Sequence, residues 1–369
     1  MTLLRDYYIA RDETISDSQT KIYDLEGIDP ISCIDVIYEA TNGSTSNVGH
    51  PLHKDVSKIE VVDGSDVLFS LSAPQIAALD FYALGKYPWH DIREGGGAVQ
   101  KEMFRIPFGR FLGDPRLYLN PANFKNPQLK CTHSLTISST AGFATGTGKL
   151  TVIAKTFHEA PPPAEGFLMA KDIYDWTTAS SGDEKVELPN DYPYRLLLLR
   201  AYESGVAWDT DITKVKLSIE SDRIVPFELY SDDLETLNEE LFGLAEIKQR
   251  LLRADNASPE TFLAYPKVFD VEPLADLHVA NVEGITADLA TLQLLVLSTT
   301  PSIAKQTTAK DILMAAKGVG PHNVLGIPFG ELNDPATWFQ AQNYKKIDFI
   351  VTQGGAGATA SVILQQFRR

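Results

Sequence analysis

The chain has 369 residues, too many for one typical domain, and 44% of them are apolar, enough for a packed core and far from a disordered composition. A formal net charge of −16 sets its surface against phosphate backbones and excludes direct nucleic-acid binding as the expected role. With only two cysteines, Cys33 and Cys131, each in an apolar run, a disulfide framework or cysteine zinc site is excluded, and buried free thiols suited to a reducing cytoplasm are expected.

From the N-terminus, Met1 to Arg11 carries charges at Arg5, Asp6 and Arg11 and no apolar run, so no signal peptide is expected there. The longest apolar-rich stretches, Leu196 to Leu199 and Leu292 to Leu297, are too short for a membrane-spanning helix. Ile31 to Ala40, Ser57 to Val62 and Asp66 to Leu71 are rich in β-branched and aromatic residues and bounded by turn formers, so they read as strands. Between the first two lies His50-x-x-His53-x-Asp55. It sits among Gly and Pro and lacks the histidine spacing of a cupin metal strand, so it reads as a solvated loop. Ser72-Ala73-Pro74-Gln75 is a capping box with proline in the first turn and opens a helix through Leu79. Met103 to Phe108, Lys130 to Ser138 and Lys149 to Phe157 are further strands, the middle one with clean alternation from Thr132 to Ser138.

Glu159 to Gly166 reads EAPPPAEG, a stiff extended spacer. Beyond it, Tyr194 to Tyr202, Lys214 to Ile219, Arg223 to Leu229, Val324 to Phe329, Ile347 to Thr352 and Ala360 to Phe367 read as strands. A second helix begins near Asp232, with Glu235 three residues on. Residues 244–253 are expected to extend it, Val268 to Val271, Leu277 to Val282 and Leu292 to Ser298 to form strands, and Thr308 to Lys317 a short helix.

These elements repeat. Asp24-Leu25, Pro30 and Tyr38-Glu39-Ala40 recur as Glu187-Leu188, Pro193 and Tyr202-Glu203-Ser204, offset by 163 to 164. Asp55-Val56-Ser57-Lys58-Ile59 recurs as Asp211-Ile212-Thr213-Lys214-Val215, offset by 156. Ile106-Pro107-Phe108-Gly109, Asp114-Pro115 and Asn123-Phe124-Lys125 recur as Ile327-Pro328-Phe329-Gly330, Asp334-Pro335 and Asn343-Tyr344-Lys345, offset by 221 and then 220. Lys171-Asp172-Ile173-Tyr174 echoes Arg5-Asp6-Tyr7-Tyr8. Three ordered blocks imply a duplicated module. The jump in offset places about 65 extra residues in the second copy, between Gly243 and Asn323. Module one is therefore placed at 1–160, the spacer at 161–166, and module two at 167–369 with an insertion at about 244–322. Many short strands with one helix per module argue for β-sandwiches rather than a βαβ fold. An insertion of that size is expected at one end of a sandwich.

No chemistry stands out. The glycine clusters at Gly95-Gly96-Gly97, Gly142 to Gly148 and Gly354 to Gly357 lack the context of a phosphate loop and read as turns. Ser139 and Ser181 lack a nucleophile elbow. Asp232-Asp233 and Glu239-Glu240 fall on a helix surface where solvation explains them. The recurrent Asp114 and Asp334 precede prolines and fix turns, and Asn123 and Asn343 suit local backbone capping. Accordingly no catalytic, cofactor-binding or metal-ligating residue is assigned, no cofactor is expected, and the chain is not expected to be an enzyme.

With two tandem sandwiches, a helix in each, and the Ile-Pro-Phe-Gly, Asp-Pro, Asn-aromatic-Lys block, the sequence resembles the double-jelly-roll major capsid proteins of the adenovirus hexon lineage, above all those of lipid-containing tailless icosahedral bacteriophages. The resemblance covers most of the chain and is architectural more than motif-level. It implies an all-β fold of two tandem antiparallel eight-stranded jelly rolls, each with a short helix. It also implies a homotrimeric, pseudo-hexagonal capsomer in the shell of a virion assembled in the host cytoplasm. Neighbouring capsomers, penton and minor capsid proteins would be its partners. An internal membrane often underlies such shells, although this N-terminus shows no basic or amphipathic anchor. The insertion would be an outward tower. Two rival readings stand beside this one: a two-jelly-roll glycan amidase or carbohydrate-binding protein, which would need a cleft lined with carboxylates or aromatics, and a minor spike or receptor-binding protein.

Overall fold

A computed structural model describes residues 3–44, 46–135, 142–159, 161–203, 205–253, 267–274, 281–288, 291–297 and 310–369. The first half contributes β1 (Leu4–Thr14), β2 (Ser18–Asp24), β3 (Ile31–Thr41), β4 (Lys58–Asp63), β5 (Asp66–Leu71), α1 (Ala73–Leu84), β6 (His90–Arg93), β7 (Val99–Pro107), β8 (Pro127–Ser134) and β9 (Lys149–Phe157). The second half contributes β10 (Phe167–Thr177), β11 (Gly182–Glu187), β12 (Tyr194–Tyr202), α2 (Trp208–Asp211), β13 (Ile212–Ile219), β14 (Glu228–Tyr230) and α3 (Ser231–Phe242). Then come β15 (Ala245–Arg253), β16 (Lys267–Leu274), β17 (Asn281–Asp288), β18 (Thr291–Leu297), β19 (Lys310–Val319), β20 (Val324–Pro328), β21 (Ile347–Gln353) and β22 (Thr359–Arg368).

The sheets repeat one wiring diagram. In the first half β1-β9-β3-β7 faces β2-β8-β4-β5; in the second, β10-β22-β12-β20 faces β11-β21-β13-β14. Each set is a jelly roll, with the helix in the connection between the fifth and sixth strands of the set. The repeat holds at the level of single hydrogen bonds. The Phe108 amide donates to Ser32 O and the Phe329 amide to Arg195 O, at 3.1 and 3.0 Å. The Lys125 amide donates to Asp63 and the Lys345 amide to Glu220, at 3.1 and 2.7 Å.

The two sandwiches share a wall. β5 pairs in parallel with β10 through Phe69–Ala170 and Ser70–Lys171, so one sheet of each half runs on into the other. The Leu196-to-Leu199 run shows the consequence. Strand alternation sends Leu197 and Leu199 into the second core and Leu196 and Leu198 into the first, which is why the run is apolar throughout. α1 fills the seam. The Ser72 amide donates to Gln75 Oε1 at 2.8 Å, forming the expected capping box, and nearly every α1 side chain is buried. A helix apolar on all sides belongs in an interior, and this one does.

Three expectations are corrected. Residues 245–253 do not extend α3. The helix stops at Gly243, whose positive φ of 71° only glycine adopts freely, and β15 follows. Ala245, Ile247, Gln249 and Leu251 point inward in strict alternation, but polar Gln249 hid the period and AEIKQRLL is rich in helix formers, a weak preference that pairing with β19 overrides. Residues 310–317 form β19 rather than a helix, for the same reason: the Leu-Met-Ala-Ala-Lys run is paired on both sides, by β15 and β16. The strand expected at 223–229 shrinks to β14, because Glu220, Ser221 and Asp222 all turn through positive φ and Pro226 offers no amide. Residues 136–138, 277–280, 298 and 308–309 of the expected elements lie outside the described residues.

Part of the insertion sits elsewhere than on an end of its own sandwich. β15 pairs in parallel with β6, so β15, β19 and β16 widen a sheet of the first half. Ala245, Ile247, Leu251, Met314 and Ala316 join the first core.

Candidate assembly surfaces

The histidines that looked closest to a metal motif do not converge. His50 Nε2 meets both oxygens of Asp55 at 2.9 and 3.0 Å, while His53 turns inward and meets Glu102 Oε2 through Nδ1 at 2.9 Å. Among the described residues no three His, Cys, Asp or Glu side chains are set to hold a metal ion. Asp114 is buried and paired with Arg110, whereas Asp334 is exposed and caps its own turn at the Ala336 amide. Asn123 and Asn343 each sit in a single 3-10 turn. Ser139 lies outside the described residues, and Ser181 is an exposed loop residue. Cys33 and Cys131 are buried free thiols, and burial pushes the Cys131 thiol up to about 12.

What the fold does build is a junction between halves. Gln75 on α1 donates to Ser361 on β22 at 3.0 Å and also to Asp172 on β10. Burial pushes the Asp172 carboxyl up to about 7. The Tyr82 hydroxyl donates to Val324 O at 2.7 Å, and its ring lies against Gly326. From the other side, Asn238 on α3 both donates to Gly326 O and accepts from the Gly326 amide, at 3.0 and 2.8 Å. Arg110 Nη1 donates to Asn333 O at 2.9 Å, and Arg368 holds Asp66 at 2.9 Å. His322 is packed edge-on against His53 with centroids 4.7 Å apart, and its Nε2 lies 2.6 Å from the Tyr87 hydroxyl.

Because the halves repeat, each junction residue has a counterpart in the other copy. Aligned on the glycines that end the helices, Gly85 and Gly243, Gln75 and Tyr82 correspond to Asp233 and Glu240 on α3, both exposed. The sheet face that receives α1 in the second half is Leu198, Ile363 and Gly326. Its equivalent in the first half is Asp35, Ile153 and Arg105, paired in the same way. That face carries Lys101, Arg105, Lys149 and Lys155 around Asp35 and Glu39. Alongside stand the edge strand β1 with Arg11 over Tyr8, and Tyr8 is 51% exposed. α3 instead exposes Asp232, Asp233, Leu237, Glu240 and Leu241, next to Tyr230, which is 62% exposed. Asp232, Asp233 and Glu240 lie on the solvent side of α3, as expected of solvated acidic pairs, whereas Gln75 and Tyr82 at the matching places of α1 are buried.

No family model matches the sequence, and no curated protein matches it. Solved structures do. The chain is similar to the STIV MCP (12% identity, TM-score 0.58, covering 98% of this chain and 96% of that one). It is similar to the PBCV-1 virus capsid (10%, 0.59, 100% and 94%) and to the major capsid protein of bacteriophage PM2 (11%, 0.53, 100% and 98%). The chain has the double-jelly-roll fold of these coat proteins over its whole length.

Proposed function

We propose that this chain is the major capsid protein of an icosahedral virion and closes into a homotrimeric, pseudo-hexagonal ring. The observation that carries the proposal is the internal junction together with its unpaired copy. Within one chain, α1 of the first sandwich seats on a sheet face of the second. The equivalent helix, α3, exposes Asp233 and Glu240, and the equivalent face, β1-β9-β3-β7, keeps Lys101, Arg105, Lys149 and Lys155 in contact with solvent. A head-to-tail contact that repeats the internal one consumes both open surfaces, and such heterologous contacts close into rings. The chemistry fits: the internal contact is buried, with Gln75 and Tyr82 hydrogen-bonded among Leu198, Ile363 and Gly326, whereas the open pair is acidic on α3 and carries Lys101, Arg105, Lys149 and Lys155 beside Asp35 and Glu39 on the sheet. In this reading the modules at 1–160 and 167–369 are the six positions' alternating occupants, the part of the insertion beyond β15, β16 and β19 is the outward tower, and the protein acts without catalysis. Contacts with neighbouring capsomers, penton and minor proteins, an underlying membrane, and assembly in the host cytoplasm belong to the same proposal.

The test is a charge swap read by light scattering and negative-stain imaging. Wild type is expected at three times 40.6 kDa. Asp233→Lys with Glu240→Lys is expected to yield monomer, and adding Lys149→Glu and Lys155→Glu to restore the trimer. A monomeric wild type, or an acidic-face variant that still trimerises, overturns the proposal.

A further inference from the structure

The duplication exposes one carboxylate whose partner has gone. Asp55 and Asp211 are equivalents: each ends a helical turn, and each accepts a strand amide through its main-chain oxygen, from Ser134 at 2.9 Å and from Gly354 at 3.0 Å. In the first half the Asp55 carboxylate is held by His50. In the second, the residue 156 positions beyond His50 is Val206, which offers nothing. Asp211 is nevertheless 1% exposed, and neither of its carboxylate oxygens has a hydrogen-bond partner among the described residues. A buried carboxylate in that state is costly unless something pairs with it.

The surroundings supply more oxygen rather than a donor. Glu203, at the end of β12, and Asp209, on α2, add negative charge beside Asp211. The glycine-rich loop between β21 and β22 lies flush over the site. A Cβ on Gly355 would come within 2.7 Å of Asp211 Oδ1 and 3.1 Å of Thr210 O, so these two oxygens converge on one spot. A Cβ on Gly357 would meet both Glu203 oxygens, at 3.1 and 3.2 Å. Gly355 and Gly357 are thus glycine because the loop must approach two carboxylates closely there.

We propose that Asp211 and Glu203, with the Thr210 carbonyl and the 354–357 loop, form a binding site for a hard divalent cation, calcium in preference to magnesium. The cation would stand where the His50 imidazole stands in the first copy. Mixed carboxylate and carbonyl oxygens in an irregular loop suit calcium, which tolerates variable geometry, better than magnesium, which demands a near-octahedral shell. Burial, and then the charges of Glu203 and Asp209, push the Asp211 carboxyl up to about 6, so binding weakens as pH falls through that value.

The test uses the chelator-treated full chain at pH 7.5. Terbium is the direct probe, because Trp208 shares the α2 turn with Asp211 and would sensitise its emission. Wild type is expected to show sensitised emission that calcium displaces. Calcium at a hundred times its Kd is expected to raise the unfolding midpoint by roughly 3 to 4 °C. Asp211→Asn is expected to lose both signals, and Glu203→Gln, which leaves the buried residue untouched, to weaken binding at least tenfold. No calcium response in wild type, or the same response in Asp211→Asn or Glu203→Gln, overturns the site and leaves Asp211 as a protonated carboxyl. Because all readouts are on the isolated protein, they stand apart from ring closure.

Discussion

Gly326→Ala reports directly on whether the halves are locked as described. Gly326 sits in β20 with its main chain clamped by Asn238, and a Cβ there would lie 2.9 Å from Tyr82 Cε1, 3.0 Å from Cδ1 and 3.3 Å from Cζ. Carbon pairs are comfortable only beyond about 3.5 Å. The ring cannot simply swing away, because its hydroxyl is tied to Val324 O and its other side packs on Phe242 with centroids 4.7 Å apart. Overpacking of this kind costs about 1–3 kcal/mol, and alanine returns about 0.5–1 kcal/mol by restricting the unfolded chain, so a net loss of about 1–2 kcal/mol is expected. The midpoint then drops by roughly 1–3 °C in thermal unfolding. In a Tyr82→Ala background the methyl group has room and its cost disappears, a coupling that a double-mutant cycle reads. A Gly326→Ala protein as stable as wild type, or more so, would refute the packing of α1 on β20, since without Tyr82 above it an alanine in a strand is favourable.

Three further outcomes follow from single observations. His322 is fully buried, and burial, then the neighbouring His53, Arg200, His90 and Lys54, hold its imidazole well below the ordinary 6.5. The unfolded chain therefore binds the proton first, and stability present above pH 6.5 falls as pH drops below it, by up to about 1.4 kcal/mol per unit, a slope that His322→Asn, suited to the local φ of 59°, reduces in acid-unfolding curves. Cys33 and Cys131 should resist a thiol reagent in the native protein and react only on unfolding, since burial raises both thiols. The charged contact proposed for ring closure should weaken with salt more than the buried internal junction does; a trimer insensitive to ionic strength from low salt to 1 M would count against it.

Much of this architecture is written plainly in the sequence, and the losses have local causes. β5, β9 and β12 were readable to the residue because apolar residues alternate or run unbroken between turn formers. The capping box fixed the start of α1. β1, β2 and β11 escaped because they lie at sheet edges, with one face or both in water, and LRDYYIARDET or GDEKVE lacks the apolar alternation that marks a buried strand. β15 and β19 were misread because helix-forming residues were stabilised by a sheet from the other half, a contact that no local window contains. The Asp55–Asp211 repeat was equally visible. That His50 holds one carboxylate while nothing described holds the other could come only from geometry.

The way the two copies have diverged is itself an argument about assembly. Where a position serves as scaffold, both copies keep it: the amides of Phe108 and Phe329, or of Lys125 and Lys345, find the same kind of acceptor. Where a position meets the other half, the copies part. Gln75 and Tyr82 on α1 became buried anchors, while their counterparts Asp233 and Glu240 stayed charged and exposed. Gly326 made room for Tyr82, while its counterpart Arg105 kept a guanidinium, paired with Asp35 at 2.6 Å. Drift alone would scatter such differences over the fold. Here the buried partners lie together inside the chain, whereas α3 shows acidic side chains to solvent and the β3-β7-β9 face carries Lys101, Arg105, Lys149 and Lys155 paired with Asp35 and Glu39. A junction permanent within one chain can be apolar from the start, because it never meets water once folded. A junction that forms between separately folded chains must keep each face soluble until they meet, and charge does that while also excluding like faces from one another.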